Sequence, residues 1–314
     1  MINQKISKAF PALAALVIFM VFSSCTSDTL EKNCVDVDFS KKTAVVLKEG
    51  VKKEENVLRV GVAAMMSPTN NLKYYSDLVN YISSRVNTRG LLVQRNSYAE
   101  MNEMIKLGGV DMAFICSGAF VDVETPLEIV AVPVINGKKT YNSLIITNTT
   151  SGIKTVRELK KRSFAFVDPL SNTGRLYPIF HLISNKYDPK NFFGRTIFTG
   201  SHDNSIEMVM NGLVDAAAVD SIVFDYYLKE HPSASSEIHI LNVSPDFGIP
   251  PIVTRKDTPE WLVEKVRGVL LQMNSEPEGI FILRELHFDG FEIGDVKAYR
   301  TVREIYATLR KNGL

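Results

Sequence analysis

An α/β fold of two lobes, each built on a parallel sheet, follows from three observations in this sequence. From Val57 onward, short apolar runs alternate with amphipathic ones in the order strand, helix, strand, helix, strand. The alternation then restarts beyond Thr155. One pattern also occurs in both halves: Gly109-Val110-Asp111-x-Ala113-x-x-x-Ser117 is echoed by Leu213-Val214-Asp215-x-Ala217-x-x-x-Ser221. Strands alternating with helices make parallel sheets with right-handed crossovers, and two occurrences of one strand pattern suggest two lobes of similar design.

The elements follow in order. Val57–Ala64 reads as a strand, and Met65-Met66-Ser67-Pro68 as a loop. Leu72, Tyr75, Leu78, Val79, Ile82 and Val86 recur on one helical face. Leu91–Gln94 is a second strand, and Ser97-Tyr98-Ala99-Glu100 a capping box for a helix that stops at Gly108-Gly109. Val110–Cys116 is a third strand; Ile129–Ile135 and Tyr141–Thr147 are strand-like. Thr155-Val156-Arg157-Glu158 is a second capping box. Phe164–Val167 is a buried strand stopped by Asp168-Pro169, followed by a helix to about Asn185. A strand at Thr196–Thr199, a helix from Ser201 to Asn211 and a strand at Val214–Val219 come next. Phe247–Pro251 reads as a crossing segment and Ile252–Thr254 as a strand. Thr258-Pro259 is expected to cap a helix with proline at its first position. Helical pieces near Gly279–Leu286 and Lys297–Lys311 close the chain.

Composition narrows the function classes. The chain has 314 residues, enough for two cores, and a formal net charge of +1, which argues against a nucleic-acid partner. Three cysteines are too few for a disulfide framework. Cys34 has no obvious partner, and Cys116 reads as a buried thiol. Lys5 and Lys8 precede an apolar run, Ala9–Phe22, which is short for a membrane span and leads into Phe22-Ser23-Ser24-Cys25. Small residues before a cysteine resemble a bacterial lipobox, so residues 1–25 are expected to be a lipoprotein signal peptide ending at lipidated Cys25, with a plain signal peptide or an anchor as the other readings. Residues 26–56 read as a polar tether.

In open parallel sheets ligands bind at the carboxyl ends of strands. Those ends carry Ser67, Ser117, Ser171-Asn172-Thr173, Ser201-His202 and Asp220-Ser221. The turn Ser171-Asn172-Thr173-Gly174 opens a helix, and free N–H groups with two hydroxyls and an amide are suited to an oxyanion. An ordinary cap, with Ser171 or Thr173 satisfying orphan N–H groups, accounts for the same residues. His202 can donate to an anion when neutral and attract it when charged, or can simply pack at a loop edge. Asp220 can accept from a ligand or hold a loop amide, and Tyr75 can belong to the core or lean into the cleft.

Asp168–Gly174 with Tyr177-Pro178, Ser201-His202-Asp203, Val214–Val219, Ala113–Phe120 and Met66-Ser67-Pro68 resemble the substrate-binding proteins of phosphate, phosphite and phosphonate ABC transporters. The resemblance runs from about Val57 to Asn312. It implies a type II periplasmic-binding fold: two α/β lobes with two crossing strands and an interlobe cleft. Lobe 1 is expected to comprise residues 57–145 and 250–314, and lobe 2 residues 146–249. It further implies that the turn at Ser171, Asn172 and Thr173, with His202, holds the oxyanion, that Tyr75 lines the cleft, and that Asp220 stands for the acidic residue that holds the ligand's amino group in aminoalkyl-phosphonate binders, with Ser67 and Ser117 as further strand-end candidates. The turn departs from the family's Ser-Thr-Ser at Asn172 and Thr173, and Phe120 stands where the family commonly has tyrosine. The implied protein is a monomer tethered by lipid outside the cytoplasm. It would carry a small oxyanion to an ABC-transporter permease or report it to a membrane sensor kinase, with no cofactor and no metal. A sulfonate or a heterocycle is the alternative ligand. A hydrolase using Ser171 or Ser201 with His202 and Asp203 is disfavoured, because sequence neighbours point apart and no Gly-x-Ser-x-Gly elbow or metal-ligand spacing occurs.

Overall fold

The computed structural model describes residues 56–314. The expected signal peptide, Cys25, and nearly all of the tether lie outside the described residues. Taken along the chain, the elements are β1 (Val57–Val62), α1 (Pro68–Arg85), β2 (Arg89–Gln94), α2 (Tyr98–Lys106), β3 (Met112–Phe114), α3 (Ser117–Asp122), β4 (Leu127–Val134), β5 (Thr140–Tyr141) and β6 (Ser143–Asn148). Then come β7 (Ser163–Phe166), a π-helical turn (Asn172–Leu176), α4 (Tyr177–Ser184), α5 (Pro189–Phe192), β8 (Arg195–Phe198), α6 (His202–Met210), β9 (Ala216–Asp220), α7 (Ser221–Glu230), α8 (Ala234–Glu237) and β10 (Ile238–Val243). The chain closes with β11 (Phe247–Gly248), β12 (Ile252–Arg255), α9 (Glu260–Leu271), α10 (Pro277–Glu285), β13 (Gly290–Glu292) and α11 (Arg300–Lys311).

These strands form two large sheets. The first runs β13-β4-β12-β3-β1-β2 and the second β10-β6-β9-β7-β8. In each, the first strand of a unit pairs in parallel with both its successors, β1 with β2 and β3, and β7 with β8 and β9. A returning strand then pairs antiparallel with the third, β12 on β3 and β6 on β9. The sequence echo marks this equivalence. Asp111 accepts the backbone N–H of Arg59 at 2.8 Å, and Asp215 accepts that of Ser163 at 2.8 Å, each across the same sequence separation of 52. Each aspartate pins the first strand of its unit to the start of the third, which is why the Val-Asp pair recurs.

Two short strands carry the chain between the sheets. β5 and β11 pair antiparallel, Tyr141 opposite Phe247 and Thr140 opposite Gly248. The expected strand Tyr141–Thr147 is therefore two strands, one crossing and one in the second sheet. The second sheet buries Phe164, Phe166, Ile145, Ala216 and Ala218 against α4, and this cluster also contains Val302, Ile305 and Leu309 of α11. The last helix therefore packs on the second core, although the sequence reading gave residues 250–314 to the first. Pro259 also occupies the cap position before α9 rather than the first helical place, and Thr258 accepts a hydrogen bond from Thr254 at 2.7 Å instead of capping.

Candidate functional site

β7 ends at Asp168, whose carboxylate accepts from the backbone N–H of Leu170 at 2.8 Å and of Tyr98 at 3.0 Å. That second bond ties the turn of one lobe to α2 of the other. Burial pushes the Asp168 carboxyl up, and these two N–H groups oppose the shift. The chain then turns through Ser171 into the π-helical turn. Ser171 Oγ accepts from Gly174 N–H at 3.0 Å, so Ser171 is the cap. Thr173 does not share that role: its Oγ1 is buried and has no hydrogen-bond partner in the protein. The sequence left the cap to Ser171 or Thr173 and offered both to a ligand; Ser171 takes the cap. Gly174 is required by space, since a Cβ there would stand 2.6 Å from the Val167 side chain.

Around this turn the structure gathers a group of buried polar side chains. Ser117, at the start of α3, has Oγ 2.5 Å from Tyr141 Oη, and Asn172 Nδ2 donates to the same hydroxyl at 3.4 Å. Asn172 Oδ1 is buried and unpartnered. His202 Nδ1 accepts from the backbone N–H of Asp220 at 3.0 Å, which places the ring proton on Nε2, and Nε2 faces Ser171 Oγ at 3.5 Å. Burial drives the His202 pKa down to about 3, so the ring is a neutral donor, which selects the uncharged of the two readings. Tyr98 Oη is buried without a well-formed hydrogen bond; the Ser171 hydroxyl beside it meets it only weakly, and Cys116, Asp168 and Asp220 act on it electrostatically. Thr173 Oγ1, Asn172 Oδ1 and Tyr98 Oη are thus three orphaned polar atoms of one neighbourhood. Leaving such atoms unpaired costs about 1–3 kcal/mol each, which suits a site completed by a polar ligand. The cation of the turn, Arg175, donates to Pro169 O at 3.1 Å and acts on Asp168 rather than on the orphaned atoms.

Three expected residues sit elsewhere. Ser67 stands at the cap position of α1 without a side-chain capping bond, and its N–H donates to both carboxylate oxygens of Asp203 at 3.0 Å, so it serves the contact between lobes rather than the turn. Asp203 also accepts from Asn70 Nδ2 at 2.8 Å and Ser201 Oγ at 2.5 Å. Asp220 caps α7, accepting from Ile222 N–H at 2.7 Å, and lines an adjoining apolar cavity together with Tyr75. Burial pushes Asp220 up to about 7. Tyr75 lies on that wall with its ring 5.1 Å from Phe114. Sequence reasoning missed Tyr98 and Tyr141. A tyrosine just past the carboxyl end of β2, and one at a crossing strand, were the available signals.

Among the described residues no group of three or more His, Cys, Asp or Glu side chains could hold a metal ion, and no helix is long and apolar enough to cross a membrane. Ser201, His202 and Asp203 form no relay, since His202 Nδ1 meets a backbone amide and Asp203 bonds Ser67, Asn70 and Ser201.

Two α/β lobes joined by crossing strands around a polar turn define the type II periplasmic-binding fold, a fold of solute-binding proteins. A family model described as the periplasmic substrate-binding protein of phosphonate ABC transporters matches residues 60–299, and the chain belongs to that family. Its members are binding proteins of transport systems, not enzymes, and work outside the cytoplasm. The chain is 28% identical over 176 residues to a probable ABC transporter phosphite binding protein, PhnD1, of Prochlorococcus marinus, covering 54% of this chain and 59% of that one. It is 22% identical over 245 residues to the phosphonates-binding periplasmic protein of Escherichia coli, covering 76% and 72%. The chain therefore spans about three fifths of the first of these relatives. Among solved structures, Prochlorococcus PhnD1 in complex with methylphosphonate superposes with a TM-score of 0.74 at 21% identity, covering 82% of this chain and 99% of that one. A binding protein component of a Pseudomonas aeruginosa ABC phosphonate transporter gives 0.76 at 22%, covering 82% and 87%.

Proposed function

We propose that this protein captures a small phosphorus oxyanion outside the cytoplasm and delivers it to an ABC-transporter permease, tethered to the membrane by lipid on Cys25. The observation that carries the ligand class is the set of orphaned atoms at Thr173, Asn172 and Tyr98 beside the Nε2–H of His202. Hydroxyl and imidazole donors recognise oxygens without a cation. Asn172 Oδ1 is an acceptor, so the set also calls for a ligand proton. A phosphonate or phosphate monoanion retains a P–OH near neutral pH, whereas sulfate and sulfonates do not. Specificity then arises because the wrong ligand leaves a buried acceptor unpaired.

The test is isothermal titration of the full chain, solubilised in mild detergent, with phosphate, phosphite, methylphosphonate, sulfate and taurine. Binding of at least one phosphorus compound with none of sulfate or taurine is the expected result. Binding of sulfate or taurine alone would replace the phosphorus reading with the sulfonate one. For the anchor, Cys25→Ala is expected to abolish palmitate labelling; labelling that persists would refute lipidation at that residue.

A further inference from the structure

The apolar cavity beside the polar turn has no use for an inorganic oxyanion. Its walls include Met65, Met66, Tyr75, Phe114, Tyr226 and Phe288; it encloses about 30 Å³ of space for water-sized atoms and opens outward, about 400 Å³ with the solvent at its mouth counted. Both lobes contribute, since Tyr226 lies on α7 and Phe114 on β3. Tyr226 donates its hydroxyl to Leu286 O at 2.5 Å, so that its polar end is already satisfied. The cavity adjoins the oxyanion group through one residue pair: Asp220 lines it, and the Asp220 N–H holds His202, whose other nitrogen faces Ser171.

We propose that the physiological ligand is an organophosphonate whose carbon substituent is uncharged, apolar and larger than methyl, and that this substituent occupies the cavity walled by Tyr75, Phe114 and Tyr226. The proposal rests on the phosphorus-oxyanion reading and narrows it. A head at Thr173 and His202 places the substituent toward Asp220 and so toward these rings. The one carboxyl at the junction does not call for a cation. It is held by Ile222 N–H as the cap of α7, and burial keeps it protonated up to about neutral pH. The titratable groups that face or flank it are Tyr75 and Tyr226 in the cavity, Tyr98, Cys116 and Tyr141 on the side of the turn, His202 and Asp225; none is a lysine or arginine.

Burying one methylene is worth roughly a fourfold gain in affinity, on a transfer free energy of about 0.8 kcal/mol. Titration of the full chain at pH 6 with phosphite and methyl-, ethyl-, propyl-, butyl-, phenyl- and 2-aminoethylphosphonate is the test. Affinity is expected to climb along the alkyl series by tens-fold from methyl to butyl, with propyl- above its near-isostere 2-aminoethylphosphonate. A flat or falling alkyl series, with methylphosphonate or phosphite bound, would overturn the proposal and leave the phosphorus reading intact. So would 2-aminoethyl- bound more tightly than propylphosphonate. No binding of any phosphorus compound would overturn both. A cavity-filling variant, Val223→Phe, should bring the ratio of butyl- to methylphosphonate affinity close to one; an unchanged ratio places the substituent elsewhere and overturns the proposal. Should that variant fail to fold, the series on the unmodified chain still decides.

Discussion

The backbone N–H of Asp220 donates to Nδ1 of His202 at 3.0 Å, and the two side chains respond to burial in opposite ways. His202 is driven from 6.5 to about 3, and Asp220 from 3.8 to about 7. Between about pH 3 and 6.5 the unfolded chain binds a proton at His202 that the folded chain does not, so this residue makes stability rise with pH. Between about pH 3.8 and 7 the folded chain holds a proton on Asp220 that the unfolded chain has lost, so this one makes stability fall with pH. The two trends oppose each other across the overlapping window. Asp220→Asn should therefore unmask a rising slope and His202→Gln a falling one, measured by urea unfolding from pH 4 to 7.5. Parallel profiles in all three proteins would show that neither group titrates as its burial requires.

Thr173 Oγ1 and Tyr98 Oη contribute nothing to the fold that a hydrogen bond would supply. Thr173→Val and Tyr98→Phe should leave thermal stability unchanged or raise it by up to about 1 kcal/mol. Each should weaken phosphorus-oxyanion binding by about 1.5–3 kcal/mol, the scale of a hydrogen bond to a charged group. Calorimetric titration beside thermal melts separates these effects. Loss of stability with unchanged affinity would move the residue out of the site.

Asp203 fastens α6 of one lobe to the start of α1 in the other through Ser67 and Asn70. Burial alone would raise its pKa, but the hydrogen bonds from Ser201, Ser67 and Asn70 hold it below the usual carboxylate range. Asp203→Ala removes the acceptor shared by Ser67 and Asn70 and leaves the neighbouring bond from His202 N–H to Met65 O. Small-angle X-ray scattering should then report a larger radius of gyration, and ligand affinity should fall by about 1.5–3 kcal/mol. An unchanged scattering profile would show that the lobes are held together elsewhere.

Gly118 is fixed by close approach. A Cβ there would lie 2.1 Å from Leu170 O and 2.8 Å from Asn172 N, both backbone atoms of the site turn. Gly118→Ala should cost about 1–3 kcal/mol of stability and displace Asn172 along with it, so melting temperature and affinity should drop together. A variant with normal affinity would mean that the turn can shift without harm to the site.

Much of this architecture was legible in residues alone, because strand and helix periodicity persist where sheets are buried. Phe164–Phe166 and Val60–Val62 read correctly for that reason, and the Asp111/Asp215 echo marked equivalent strands. α7 and β10 were not read. α7 follows Asp220 without a loop, and β10 is an edge strand whose alternation of Ile238, Ile240 and Asn242 is weak. At the site, the turn, His202 and Tyr75 were visible as strand-end or helix-face residues. Tyr98 was not, since its place depends on a contact with Asp168 across a separation of 70 residues. The placement of α11 likewise depends on a core that no local pattern announces.

Tyr141 belongs at once to the narrow ladder that joins the lobes and to the polar group at Ser117 and Asn172. On the proposed function, fulcrum and detector would share one side chain. A swing of one lobe about the Tyr141–Phe247 pair would move the phenol hydroxyl against Asn172, and a ligand seated at Asn172 would brake that swing.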